Sequence, residues 1–210
     1  YAQASDALGY DLWQLVSEGP EERLNQTEIT QPAMLCAGVA CWKIATQQSE
    51  IPNASLMAGH SFGEYSALVC AQSLDLESAV KLVAKRGQLM QAAVATDAGS
   101  MAVIHGLDDD AVIDACARVQ DGIVEATNFN APGQVAIAGH KASLDATLVN
   151  AKAMGAKRTL PLAVSVPSHS SLMQDAAEEL FETLNSINFS MPKIPIIHNQ
   201  SAGIAQSVDE

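Results

Sequence analysis

Aromatic side chains are scarce in this sequence, at 4% of its 210 residues. A core of ordinary size must then be filled by Ala, Val, Leu, Ile and Met, whose modest volumes let helices lie close against sheets. Basic residues are also few. Eleven Lys and Arg face twenty-four Asp and Glu, for a net charge of −13. A surface of that sign repels phosphate backbones, which excludes general nucleic-acid binding. No apolar run approaches the roughly 20 residues that cross a bilayer, so no membrane span is expected. The four cysteines (Cys36, Cys41, Cys70 and Cys116) form no C-x-x-C pair and have no histidine at zinc spacing. They are expected to be reduced, buried thiols in a cytoplasmic protein. No repeat or low-complexity segment is present. No signal peptide is visible at Tyr1, but a sequence that starts "YAQASDALGYDLW" without Met reads as a fragment, and a removed targeting segment stays open.

With 48% hydrophobic and 17% charged residues, the chain can build a core. "TQPAMLCAGVACWKIATQQ" has a cap candidate at Thr30 and Pro32 in the first turn, predicting a buried helix. "SLMA" is a short apolar run leading into glycines, and "EYSALVCAQSL" behind them predicts a helix. "DLESAVKLVAKRGQLMQAAV" predicts a helix from Asp75, with Ala79, Val80, Val83, Leu89 and Met90 at helical spacing. The rhythm then changes. "SMAVIHGL" predicts a strand and "DDDAVIDACARV" a helix capped by Asp108. "GIVEAT" and "QVAIAG" predict strands joined by "NFNAPG" as a turn. "KASLDATLVNAKAM" predicts a helix ended by Gly155, and "KRTLPLAV" a last strand. That β-α-β-β-α-β order is the order of a ferredoxin-like unit over residues 98–164. Beyond it, Pro167 interrupts a strand-like run, a loop carries His169, a helix follows, and "PKIPIIHNQSAG" predicts a strand with its exit loop.

"GHSFG" places Ser61 between two glycines at a strand-to-helix corner. A nucleophile elbow needs this arrangement: a strand, a strained turn at the serine, and a helix whose first amides face the site. Gly59 and Gly63 leave room for the turn to pack. The plainer reading is a solvated serine in a glycine-rich connector. A serine nucleophile requires a base. His60 adjoins Ser61 but leaves the chain on the opposite side. His105 and His140 end strands, where capping is the simpler role. His198, after an apolar strand, and His169, in a Pro- and Ser-rich loop, both remain open. Arg86 lies on an apolar-striped helix 25 positions after Ser61, where it could pair with a substrate carboxylate. Lys81 and Lys85 nearby make a solvated helix edge the competing reading.

"GHSFGEYSAL", "RGQLMQ", "NFNAPGQVAIAG" and "VPSHSSLM" occur in that order, and together they resemble the malonyl-CoA:acyl-carrier-protein transacylases and the related acyltransferase domains of polyketide synthases. The similarity runs over essentially the whole chain. It implies an α/β fold: an α/β-hydrolase-like large domain (residues 1–97 and 165–210) with an inserted ferredoxin-like subdomain (98–164). It implies Ser61 as nucleophile, His169 as general base, Arg86 as the clamp for the malonyl carboxylate, the Phe62 N–H as an oxyanion donor and Gln31 as a residue lining the site. It implies malonyl-CoA as substrate, acyl carrier protein as partner, and no metal or redox cofactor; a monomer is expected. Docking to an acidic carrier would need a local basic patch, for which Lys157, Arg158 and Lys193 are candidates. Two departures matter. Family members open with a strand ending in a "PGQG"-like motif, and they continue past residue 210 with an Asn that orients the base and a late "GPG" segment. The chain is thus expected to be truncated at both ends, and this stretch alone to be weakly active. A serine esterase or patatin-like lipase, with Asp121 and Gly122 as the D-G of a dyad, and a non-catalytic docking scaffold are the alternatives.

Overall fold

The structure is a computed structural model that describes every residue except 49–53, 96–97, 165 and 209–210. In chain order its elements are α1 (Ala2–Leu8), α2 (Leu12–Glu18), α3 (Glu21–Leu24), α4 (Thr27–Gln47), β1 (Met57–Ala58), α5 (Gly63–Cys70), α6 (Leu76–Ala92), β2 (Gly99–His105), α7 (Asp109–Ala117), β3 (Val124–Ala131), β4 (Gln134–His140), α8 (Lys141–Ala153), β5 (Arg158–Pro161), a 3-10 turn (Ser171–Met173), α9 (Gln174–Leu184) and β6 (Ile196–Ile197). The chain is mixed α/β. It divides into two compact units, one of residues Tyr1–Gln88 and Phe181–Glu210, the other of Leu89–Leu180. The domain boundaries expected at 97 and 165 fall on residues outside those described. No helix among the described residues is long and apolar enough to cross a membrane.

In the first unit β1 pairs in parallel with β6, Met57 opposite Ile196 and Ala58 opposite Ile197. Ala67 of α5 and Ala71, which follows that helix, pack on Ile196 together with Met57, Leu68 and Ile194. α4 crosses α5 at Gly38, where an added Cβ would lie 3.4 Å from Ser66 Oγ. α4 begins earlier than the sequence suggests. The Gln26 carbonyl takes the first helical bonds, from Ile29 and Thr30 at 2.8 Å each, so Thr30 is inside the helix and not its cap. The Thr30 hydroxyl turns back to the Leu24 carbonyl, and Pro32 sits beyond the first turn. α6 starts as expected, with the Asp75 carboxylate accepting the Ser78 N–H at 2.9 Å. That hydrogen bond lowers the Asp75 pKa. Val80, Leu82 and Val83 along α6 are almost fully buried, each contributing about 1.5–3 kcal/mol of apolar burial.

In the second unit four strands form one antiparallel sheet of order β3-β4-β2-β5. α7 and α8 supply Val112, Ala115, Leu144 and Leu148 to a core shared with Ile104, Val135 and Ile137 of the sheet. Asp108 caps α7 through the Ala111 N–H at 2.8 Å. Gly155 follows α8 in the left-handed region, φ 98°, with its N–H on the Lys152 carbonyl and the Ala156 N–H on the Ala151 carbonyl. That is the Schellman pattern. One expectation changes: "NFNA" is strand, not turn. β3 runs on to Ala131, its register shifting between Ala126 and Asn128 and again between Phe129 and Ala131. Pro132 and Gly133 (φ 74°) make the reversal. The two bulges absorb residues that look like turn formers in sequence.

Candidate active site

Ser61 sits between β1 and α5 with φ 52°, a left-handed conformation for a residue that bears a Cβ. Such a backbone costs roughly 1–3 kcal/mol and persists only where its surroundings impose it. Gly59 shows the constraint: an added Cβ would meet the Gly63 carbonyl carbon at 2.1 Å and the Glu64 nitrogen at 2.3 Å. The chain folds back on itself too closely for any side chain there. The space around a Cβ at Gly63 is open, so Gly63 contributes a closely approached backbone rather than a missing side chain. Its N–H closes the turn onto the His60 carbonyl at 2.9 Å. The strain required of a nucleophile elbow is therefore present.

The residues around the elbow form a continuous set within the first unit. The Ser61 N–H donates to Asn199 Oδ1 at 2.5 Å. The Asn199 N–H donates to Glu64 Oε2 at 3.0 Å, and Glu64 Oε1 lies 2.6 Å from His198 Nδ1. Among the described residues the Phe62 N–H donates to no acceptor, which leaves it available to an oxyanion. The Phe62 ring packs against Tyr65, centroids 6.2 Å apart. Tyr65 in turn carries Arg86, whose Cζ lies over the ring at 5.7 Å.

Arg86 is not the solvated helix edge that its lysine neighbours suggest. Its Nη1 donates to Oε1 of Gln31 at 2.9 Å, and Gln31 is 7% exposed. Burial lowers the Arg86 pKa from its ordinary value, opposed by the interaction with Tyr65. Burial raises the Tyr65 pKa, opposed in turn by Arg86, so the phenol stays neutral at pH 7 beside a charged guanidinium. The contact of α6 on α4 that brings Arg86 to Gln31 is made at Gly87. A Cβ there would lie 2.6 Å from the Glu28 nitrogen, the Glu28 Cα and the Thr27 carbonyl oxygen. An oriented, half-buried cation with one acceptor and one aromatic face occupied can take an anion on its remaining donors.

His169 belongs to the second unit. It is exposed, on a loop with φ 67° at its own position. The loop is held by Ser170 Oγ on the Pro167 carbonyl at 2.7 Å and by the Ser171 N–H on Glu125 Oε2 of β3 at 2.6 Å. A non-glycine residue in left-handed backbone on an anchored loop is a typical mark of a functional position. The other histidines resolve differently. His140 Nδ1 accepts the Ile123 N–H at 3.0 Å, a structural tie, and His198 pairs with Glu64. Asp121 and Gly122, the dyad candidate of the esterase reading, form a turn: the Asp121 carbonyl accepts the Ser143 hydroxyl at 2.7 Å, and Gly122 has φ 78°. Glu64, Tyr65 and Asn199 were missed in the sequence. The first two stand one helical turn after the serine, a position where side chains return to the elbow, and that spacing was the available signal.

The acyl transferase domain family matches residues 3–208. The chain is 53% identical over 200 residues to the malonyl CoA-acyl carrier protein transacylase of Haemophilus influenzae, covering 95% of this chain and 64% of that one. It is 42% identical over 201 residues to the protein of the same name from Staphylococcus aureus, again covering 95% and 64%. The chain thus spans just under two thirds of the length of the curated relatives it matches. Among solved structures, a type II PKS acyl-carrier protein in complex with its malonyl-transacylase aligns with TM-score 0.96 at 52% identity, covering 100% of this chain and 68% of that one. The malonyl CoA-acyl carrier protein transacylase of Coxiella burnetii aligns with TM-score 0.93 at 45% identity, covering 100% and 66%.

Proposed function

The chain belongs to the acyl transferase domain family, and on that premise we propose that the protein transfers a malonyl group from coenzyme A to the phosphopantetheine thiol of acyl carrier protein. The observation that carries the reading is the strained serine elbow joined, through Phe62 and Tyr65, to a guanidinium oriented by Gln31. An esterase has no use for that cation, and a docking scaffold has no use for the elbow.

Ser61 Oγ attacks the malonyl thioester carbonyl while His169 takes the hydroxyl proton, and the Phe62 N–H receives the developing oxyanion. The C–S bond breaks, the coenzyme A sulfur takes the proton back from His169, and a malonyl-serine ester remains. The carrier thiol then gives its proton to His169 and attacks the ester, and Ser61 leaves as a hydroxyl. Arg86 pairs with the free carboxylate of the malonyl group. Acetyl thioesters would leave that cation unpaired, which selects against them. The acyl group arrives already activated, so the chemistry needs no metal or redox cofactor.

The strand order β3-β4-β2-β5 supports a ferredoxin-like subdomain at 98–164, with residues 1–97 and 165–210 as an α/β-hydrolase-like domain. Lys157 and Arg158 are the proposed basic contact for the carrier. Reversing both should raise KM for the carrier protein and leave that for malonyl-CoA unchanged. A cytoplasmic monomer fits the whole reading.

The test is intact-protein mass after brief mixing of the full-length enzyme with malonyl-CoA or acetyl-CoA. One malonyl group is expected on the wild type and none on Ser61→Ala. Arg86→Ala should lose about a hundredfold of the malonyl preference. No adduct on a folded wild type would refute the transfer reading.

A further inference from the structure

The carboxylate of Glu64, three residues after Ser61, uses both its oxygens on consecutive residues of the loop that follows β6: Oε1 on the His198 ring and Oε2 on the Asn199 N–H. The Asn199 side chain completes the circuit by accepting the N–H of Ser61. The loop is closed on itself by the His198 N–H on the Gly203 carbonyl and the Ala202 N–H on the His198 carbonyl, both 2.9 Å. A residue of α5 thus fixes a distant loop, and that loop fixes the backbone of Ser61. A connection serving only to fasten β6 to α5 would not need its last bond to reach the serine amide.

We propose that Glu64 and Asn199 are positioning residues for the nucleophile, clamping Ser61 in its left-handed conformation so that the hydroxyl is presented for attack. The clamp has a second effect. With its own N–H held by Asn199, Ser61 cannot turn that amide toward the oxyanion, and the donor role falls to Phe62. The inference rests on the reading of Ser61 as the acylated residue.

Glu64→Gln separates charge from geometry. A glutamine can accept the Asn199 N–H with Oε1 and donate Nε2–H to His198 Nδ1 once that ring adopts its other neutral tautomer. Glu64→Leu can do neither, and Asn199→Ala releases the serine amide directly. The experiment uses the full-length enzyme and two probes. A fluorophosphonate reads the reactivity of Ser61 whatever its natural acyl donor. Single-turnover mixing with malonyl-CoA reads the rate of malonyl-serine formation at saturation and the concentration that half-saturates it. Asn199→Ala and Glu64→Leu should slow both reactions about tenfold, the worth of one well-placed hydrogen bond, with half-saturation unchanged. Glu64→Gln should recover most of the rate. Thermal melts show whether each variant is folded, and if Glu64→Leu is not, Asn199→Ala decides, because its side chain is exposed. Wild-type labelling rates in a folded Asn199→Ala, or a Glu64→Gln as slow as Glu64→Leu, would overturn the clamp. A wild type that reacts with fluorophosphonate but not with malonyl-CoA would overturn the transacylase reading instead.

Discussion

Replacing Gly87 by alanine tests the packing that orients Arg86. In a solvent-facing helix, Gly→Ala stabilises by about 1 kcal/mol through propensity. Here the new Cβ would fall 2.6 Å from three backbone atoms of α4, against the 3.4 Å at which ordinary contact begins. None of the three is the tip of a flexible side chain, so α6 must retreat by roughly 0.8 Å or strain α4. Overpacking of this kind costs about 1–3 kcal/mol, which leaves a net loss of about 0–2 kcal/mol once propensity is counted. The same retreat would stretch the 2.9 Å bond from Arg86 to Gln31 to roughly 3.7 Å, past the length at which it is a hydrogen bond. A hydrogen bond to a charged group is worth about 1.5–3 kcal/mol, so malonyl preference over acetyl should fall at least tenfold. Urea unfolding of the full-length protein reads the first effect, and competition between the two thioesters for the acyl-enzyme reads the second. A Gly87→Ala protein that is more stable than wild type and keeps its malonyl preference would show that α6 does not lean on α4 at this point.

α5 ends in the same Schellman pattern as α8, the Ser73 N–H on the Leu68 carbonyl and the Gln72 N–H on the Val69 carbonyl, but with Gln72 at φ 62° where α8 has glycine. Gln72→Gly should therefore stabilise the protein by about 0.5–1 kcal/mol, raising the urea midpoint without changing the slope. Asp108→Ala removes the cap of α7 and should cost about 1 kcal/mol, seen as faster hydrogen exchange across Asp109–Ala117. Burial pushes the Cys70 and Cys116 thiols up to about 11. At pH 8 their thiolate fraction is then only about one in a thousand. Mass-mapped alkylation of this stretch should modify exposed Cys41 first and those two last, and equal rates would contradict the burial. Cys41 also corrects the expectation that all four thiols are buried.

What was legible in the sequence is what is local. Asp75 and Asp108 cap their helices through an amide three residues on, and Gly155 ends α8 in a conformation that glycine enters freely, so residue type and position suffice to predict all three. The start of α4 was misplaced for a related reason. Thr30 has the chemistry of a cap, but its hydroxyl is drawn to the Leu24 carbonyl of the preceding turn, and the cap falls at Gln26, four residues earlier. Local propensity was overruled by a neighbouring segment. The strand through "NFNA" follows the same rule, since the ladder with β4 outweighs the turn preference of its asparagines.

The site divides along the same line. Ser61 and Gly59 could be read from five residues because the elbow is a local turn. Arg86 could be noted as unusual, but the residue that orients it is 55 positions away and the contact that permits this is made by Gly87, whose role depends on the absence of a side chain. Asn199 is 138 positions from the serine whose amide it holds. These partners are specified by the fold, which brings β6 alongside β1 and so delivers the loop after β6 to the elbow after β1. In a parallel strand pair both carboxyl ends emerge on one side, and the two loops must meet there. The placement of Asn199 beside Ser61 is thus a consequence of strand pairing. Knowledge of the β1–β6 register alone would have directed attention to the "HNQ" segment before any side chain was located.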